Sequence, residues 1–145
     1  MLSKSFGYAL RGIIYVALTH EKKERVQVEE IAENLAVPRH FLGKIMKKVV
    51  KEGMLESTRG PYGGFSINAD TLQTPLIKLI RITEGLEQFN SCVLHFRKCN
   101  KNKPCPLHYQ MVENRNQLLE IFSSTTIGDL MKEDKKMLLQ SIAAG

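Results

Sequence analysis

Val28-Glu29-Glu30-Ile31-Ala32-Glu33-Asn34-Leu35-Ala36-Val37-Pro38-Arg39-His40-Phe41-Leu42-Gly43-Lys44-Ile45-Met46-Lys47-Lys48-Val49-Val50-Lys51 contains two helical patterns separated by a proline. In the first, Ile31, Ala32 and Leu35 fall on one side and three glutamates on the other. Those acids occupy the first turn and a half, where the positive end of the helix dipole favours them. Pro38 stops this helix and suits the first turn of the next. The second pattern carries Phe41, Leu42, Ile45, Met46, Val49 and Val50 at helical spacing and ends at Gly53, a C-terminal cap. Two helices joined by a short turn, with lysines on the outer face of the second, is helix-turn-helix geometry.

Beyond Gly53 the period changes. Met54 to Thr58 reads as a strand, Arg59-Gly60-Pro61-Tyr62-Gly63-Gly64 as a turn, and Phe65-Ser66-Ile67 as a returning strand. A hairpin directly behind a recognition helix is a wing. Gly63 and Gly64 either supply positive φ or let a partner approach the backbone.

Upstream, Leu10, Ile13, Ile14, Ala17 and Leu18 make one apolar stripe of a first helix, followed by a β-prone link, Arg25-Val26-Gln27-Val28. Downstream, Pro75 opens a helix over 76–84 that Gly85 stops. A long helix is expected from Leu107 to Ser123, with Leu107, Met111, Leu118 and Phe122 on one side. Thr126 reads as the N-cap of a short segment, and the tail has helical spacing at Met137, Leu138 and Ile142. The expected fold is mainly α with a small β-hairpin wing. Residues 1–85 form the winged helix-turn-helix domain, 86–106 a cysteine-rich loop, and 107–145 a dimerisation helix with its tail. The one-sided stripe of the long helix predicts a homodimer, because a second copy would cover it and two half-sites multiply DNA affinity.

The net charge is +6 and it is unevenly placed. From Arg39 to Arg59 there are six basic residues against two acids, directly after the acidic patch of Glu29, Glu30 and Glu33. A concentrated basic stretch of this kind suits a polyanion such as duplex DNA. The longest apolar run, Ile13 to Leu18, is too short to span a membrane, and the N-terminus lacks a signal-peptide layout. A cytoplasmic location is expected. No nucleotide-binding glycine motif, flavin site or nucleophile–base pair is visible, so an enzyme is not expected.

The other chemistry-bearing feature is C-x6-C-x5-C-P-L-H: Cys92, Cys99, Cys105 and His108, the chain's three cysteines followed by an imidazole. An odd cysteine count argues against a closed disulfide set. Arg97, Lys98, Lys101 and Lys103 surround them, with no acid between Glu87 and Glu113, a setting that offsets thiolate charge. Three readings compete: structural thiols, a tetrahedral zinc site and an iron–sulfur cluster. The polar run Asn100, Asn102 and Pro104 is poor core material, and structural zinc favours tighter C-x2–4-C pairs. Loops of six and five residues suit a bulkier centre.

Tyr8-Ala9-Leu10-Arg11, the helix-turn-helix from Val28 to Lys51, the wing Arg59 to Phe65, the Glu84-Gly85 stop and the cysteine triplet together resemble the Rrf2 family of bacterial transcription regulators. The likeness covers nearly the whole chain. It implies a homodimeric winged-helix protein with a crossed long helix at its interface. In many members three cysteines bind an iron–sulfur cluster that controls DNA binding. The iron–sulfur assembly subgroup adds a histidine three residues after the last cysteine to hold a [2Fe-2S] cluster, which Cys92, Cys99, Cys105 and His108 match. The nitric-oxide-sensing subgroup uses an N-terminal aspartate, whereas Gly7 and Tyr8 stand near that position here. Two departures matter. The first cysteine spacing is one residue longer than in the assembly subgroup, and Gly43 occupies the place of its acidic base-reading residue, so its operator sequence does not carry over. His95 is a second imidazole near the cysteines.

The resulting expectation is a cluster-controlled DNA-binding regulator. Lys44, Lys47, Lys48 and Lys51 would contact phosphates, and Arg39, His40 and Phe41 would reach base edges in the major groove. Arg59, with Tyr62 and Gly63 of the wing, would meet the minor groove or backbone. The rivals are a cluster-free regulator switched by thiol oxidation or a protein partner, and a small iron–sulfur electron carrier.

Overall fold

The Ser3 hydroxyl accepts a hydrogen bond from the Phe6 amide at 3.2 Å, satisfying one of the donors a helix start leaves open. Helix α1 (Lys4–Thr19) follows in the computed structural model, which describes residues 2–94, 96, 98–132 and 134–143. Its innermost residues are Ala9, Ile13 and Val16, fully buried, with Leu10, Ala17 and Leu18 at the margins of that face.

Helix α2 (Val28–Leu35) ends where Ala36 turns left-handed at φ 52°, and the Val37 amide reaches back to the Ala32 carbonyl at 3.0 Å. Pro38 then caps helix α3 (Arg39–Lys51) from just outside it. The far end of α3 closes as a Schellman motif. Met54 donates to Val49 O at 3.1 Å and Gly53, at φ 81°, donates to Val50 O at 3.0 Å. Met54 and Leu55, which the sequence pattern assigned to a strand, instead turn inward and are buried. Helix α1 lies against α3 at Gly12, where a Cβ would stand 2.9 Å from Met46 Sδ. That close approach lets Leu42, Met46 and Val49 bury completely.

The wing is a two-stranded antiparallel hairpin, β1 (Glu56–Thr58) and β2 (Gly64–Ser66), with Ser57 opposite Phe65. The β-prone link upstream adds a further rung: Val26 and Phe65 exchange both backbone hydrogen bonds, at 2.9 and 2.7 Å. Gly64 is obligatory there, since it sits at φ 137° and a Cβ would lie 2.6 Å from the Val26 carbonyl. The expectation for Gly63 needs correction. It is buried in the wing's own turn, with a would-be Cβ 2.0 Å from Thr58 O, so the demand for glycine is internal to the hairpin.

Helix α4 (Leu76–Glu84) is capped by Pro75 and stopped by Gly85 at φ 76°. A 3-10 turn at Glu87–Phe89 leads into the cysteine loop. Helix α5 (His108–Ser124) starts one residue later than its expected range, with Leu107 as its cap. Its C-terminal end is strapped to α4, because Leu76 donates to Thr125 O at 2.9 Å and Ile127 to Thr74 O at 3.0 Å. Thr126 and Asp129 form a capping box on helix α6 (Ile127–Leu130).

The tail folds as helix α7 (Lys135–Ala143) and is fastened by Arg11, whose Nη1 donates to Ile142 O at 3.1 Å. Ile127 and Ile142 belong to the same apolar core as α1 and α3. Residues of all three expected segments, Phe89 of the second among them, share one core. Among the described residues, no helix is long and apolar enough to cross a membrane.

Candidate nucleic-acid interface and metal centre

One helix separates the two kinds of side chain that a DNA reader needs. On α3, Leu42, Ile45, Met46 and Val49 are buried, whereas Arg39, His40, Phe41, Lys44, Lys47, Lys48 and Lys51 are all exposed. The four lysines run along α3 to its end, and Lys48 and Lys51 lie in its last turn, where cations suit the negative end of the dipole. Phe41, a large apolar ring 57% exposed, packs edge-on to His40 with ring centres 6.0 Å apart.

Arg39 is held. Its Nε and Nη2 both donate to Glu29 Oε1, at 2.9 and 2.5 Å. The Glu29 carboxyl lies below the usual carboxylate range, first because its own backbone amide donates to it and then because of the Arg39 hydrogen bond. The wing and the start of α2 adjoin one groove, with Pro61 and Tyr62 on the wing side and the acids Glu24, Glu29, Glu30 and Glu33 on the other. The Gln27 side chain donates to Pro61 O at 3.0 Å and fixes the turn there. Arg59 and Tyr62 are exposed on the wing, Tyr62 at 89%.

The second site lies between the cysteine loop and α5. A cavity of about 500 Å³ is lined by Cys92, Cys99, Cys105 and His108, together with Phe89 and Met111. Sequence reasoning grouped these four residues, and the fold brings them to one cavity. His108 is buried at the start of α5, its amide donating to Cys105 O at 3.0 Å. Its Nδ1 stands 3.2 Å from Cys99 Sγ. The loop is drawn together by the Ser91–Lys98 bridge and by Cys99 N donating to Asn90 O at 3.2 Å. Cys92 is buried, and all three cysteines are thiols rather than disulfides.

Among the described residues, no three ligand-type side chains converge on a position for a single ion. Three sulfurs and one imidazole lining one cavity are a soft donor set suited to iron–sulfur chemistry. His95 and Arg97 lie outside the described residues. Lys98 and Lys101 are exposed, and Arg115 of α5, which the sequence reading missed, donates to Cys99 Sγ. Its position seven residues after His108, two turns along one helix face, was the available signal.

The long helix divides its expected interface. Phe122 turns inward, edge-on to Phe89 at 6.3 Å between ring centres, and packs with Leu119 against the core. Met111 and Leu118 remain half-buried, and Leu107, Tyr109 and Ile121 are exposed.

Residues 2–133 match the Rrf2 family model, described as an iron-dependent transcriptional regulator. The chain is 33% identical over 140 residues to a putative HTH-type transcriptional regulator of Aquifex aeolicus, covering 95% of this chain and 96% of that one. It is 26% identical over 129 residues to the HTH-type transcriptional regulator IscR of Vibrio atlanticus, covering 88% of this chain and 73% of that one. Among solved structures, CymR, the global cysteine regulator of B. subtilis, superposes with a TM-score of 0.76 at 21% identity, covering 93% of this chain and 98% of that one.

Proposed function

The chain belongs to the Rrf2 family of transcription regulators, and from that premise we propose that it is a cytoplasmic, homodimeric DNA-binding regulator controlled by an iron–sulfur cluster of the [2Fe-2S] type. Cys92, Cys99, Cys105 and His108 would hold the cluster. The observation that carries this reading is the meeting of all four residues at one cavity. The family's description as iron-dependent and the IscR relative support it. Membership of a family of transcription regulators sets aside an enzyme and the electron-carrier reading.

On the DNA side, Lys44, Lys47, Lys48 and Lys51 supply sequence-independent phosphate attraction, and Arg39, His40 and Phe41 read base edges. Arg59 and Tyr62 extend the contact through the wing. The dimer forms along α5 through Leu107, Met111 and Leu118, with Phe122 supporting that helix from beneath.

A bound cluster supplies a charge that changes on reduction and disappears on loss. The chain's own hydrogen bonds offer a route from that cavity to α3. Gln88, which lines the cavity, donates to Glu84 Oε2 at 2.7 Å. Glu84 Oε1 accepts from both Ser3 N and Ser3 Oγ at 2.9 Å, at the cap of α1. Helix α1 in turn packs on α3 at Gly12 and Met46. Movement of the loop would thus reach the recognition helix through α4 and α1.

The decisive experiment is purification without oxygen, with iron and sulfide analysis, visible absorption, and duplex binding before and after cluster removal. Matched iron and sulfide, with binding that changes on removal, is the expected result. Zinc or no metal sinks the cluster assignment and leaves a winged-helix regulator. A second reading then takes over, a cluster-free regulator switched by thiol oxidation or a protein partner. It is favoured by the fold likeness to a cysteine regulator and by Cys99 Sγ lying 3.0 Å from Arg115 Nη2. Reversible loss of DNA binding on mild oxidation of metal-free protein would support it.

A further inference from the structure

We infer that Arg115 is a positioning residue of the cluster pocket that also sets the charge balance at its sulfurs, an inference that rests on the cluster reading above. Its guanidinium makes three contacts from α5. Nη2 stands 3.0 Å from Cys99 Sγ, while Nη1 donates to Phe89 O at 2.5 Å and lies 3.4 Å from Ser91 O. One planar fork therefore grips both the entry of the cysteine loop and its central ligand.

The electrostatic setting gives this fork a second role. Arg115 is part-buried and lines a cavity whose other walls include Phe89, Val93 and Met111. Among the described residues, no aspartate or glutamate forms a salt bridge with it. Its partners are the Phe89 and Ser91 carbonyls and Cys99 Sγ, and a bound cluster would place the negative charge of its ligand sulfurs against the guanidinium. Hydrogen bonds to cluster sulfurs and nearby charge are the main protein levers on reduction potential. A cation against a ligand sulfur stabilises the more negative, reduced state and so raises the potential. Because Arg115 rides on α5, the same contact joins the charge state of the pocket to the dimer helix.

Two substitutions separate charge from stapling. Arg115→Gln keeps a polar side chain able to reach the loop carbonyls but removes the charge, and Arg115→Lys keeps the charge but loses the fork. Each full-length variant would be reconstituted without oxygen beside wild type and titrated by spectroelectrochemistry, with metal-free melting curves checking the fold. The expected result is a potential lowered in Arg115→Gln by about 59 mV, a tenfold change in the ratio of oxidised to reduced protein for one electron. Arg115→Lys should retain most of the wild-type value. Cluster uptake by Arg115→Lys but not by Arg115→Gln would also support the charge role. Equal potentials in Arg115→Gln and wild type would overturn it, as would equal shifts in both variants, or loss of the cluster from both with unchanged melting. Wild-type protein devoid of iron and sulfide would instead overturn the cluster reading itself and the role of Arg115 with it.

Discussion

Arg39, the first residue of α3, meets a single carboxylate oxygen of Glu29 in α2 through two of its donors. The pair links the N-terminal turns of the two helices that define the DNA-binding motif. Both side chains are well exposed, at 65% for Arg39 and 53% for Glu29, so the contact adds little to folding. In the proposed interface its value is orientation. With Nε and one face of Nη2 occupied, the end of the guanidinium stays free to address a base edge with two donors.

Glu29→Ala should therefore lower the melting temperature only slightly, through loss of a first-turn acid of α2, while lowering the ratio of specific to nonspecific DNA binding. Competition binding with operator and scrambled duplexes would measure it. An unaltered ratio would mean that Arg39 reads no base, or reads it without help. The pH dependence follows from the lowered carboxyl pKa. The pair is intact above the ordinary carboxylate range and is lost only as pH falls through the depressed folded value. Selectivity should thus be flat near neutrality as far as this pair is concerned.

Lys47 and Lys48 are exposed on α3, which suits a phosphate contact. Changing either to Ala should weaken operator and random duplexes alike and reduce the slope of log affinity against log salt by roughly one. A slope that does not move in either variant removes both lysines from the interface.

Gly64→Ala tests the anchoring of the wing. The position combines φ 137° with a would-be Cβ 2.6 Å from Val26 backbone atoms, so β2 would have to leave its rung beside Val26. A cost of about 1–3 kcal/mol is expected for such a conformation. Gly7→Ala is the control, since nothing lies within 4 Å of its would-be Cβ and it sits inside α1. Thermal melting should fall for Gly64→Ala only; matching curves for both variants would show that the wing adapts freely.

The helix-turn-helix was legible because both of its determinants are local. Apolar spacing fixes the buried face of α3, and Pro38 and Gly53 mark its ends. The wing was legible as a hairpin but not in its extent, since Met54 and Leu55 look β-prone and are claimed by the core. Gly63 was misread for a related reason: sequence shows that a glycine is present, whereas only the fold shows that Thr58 O crowds it. The four candidate ligands could be grouped from spacing alone. Arg115 could not easily be added, because its contacts depend on how a loop folds back over a helix. The contact of Phe122 with Phe89 was not legible either, because helical spacing cannot say which of two surfaces a stripe meets.

That distinction gives a test of the dimer. Leu118→Glu would bury an unpartnered charge in an apolar seam, which is strongly unfavourable. Sedimentation should then report monomer. Phe122→Ala should instead lower the melting temperature while leaving the dimer largely intact, because its ring contacts Phe89 of its own chain. A full-strength dimer in Leu118→Glu would place the interface elsewhere.

His108 offers the most discriminating test of the ligand set. It is buried, its backbone is tied to Cys105 O, and its Nδ1 is 3.2 Å from Cys99 Sγ, so the imidazole is already held within the group of thiols. Cys92→Ala, Cys99→Ala and Cys105→Ala should each abolish the visible absorption of protein prepared without oxygen, because each opens an iron coordination position. His108→Ala should weaken absorption and speed iron release. His108→Cys should retain or strengthen cluster binding, since thiolate is the softer and more usual ligand. It should also lower the reduction potential, because a neutral ligand has been exchanged for an anionic one. Normal spectra and iron retention in His108→Ala would move the fourth ligand elsewhere, with His95 the next imidazole to replace. Loss of absorption in His108→Cys, with unchanged melting of the metal-free protein, would mean that position 108 does not face the iron, whatever its distance from Cys99.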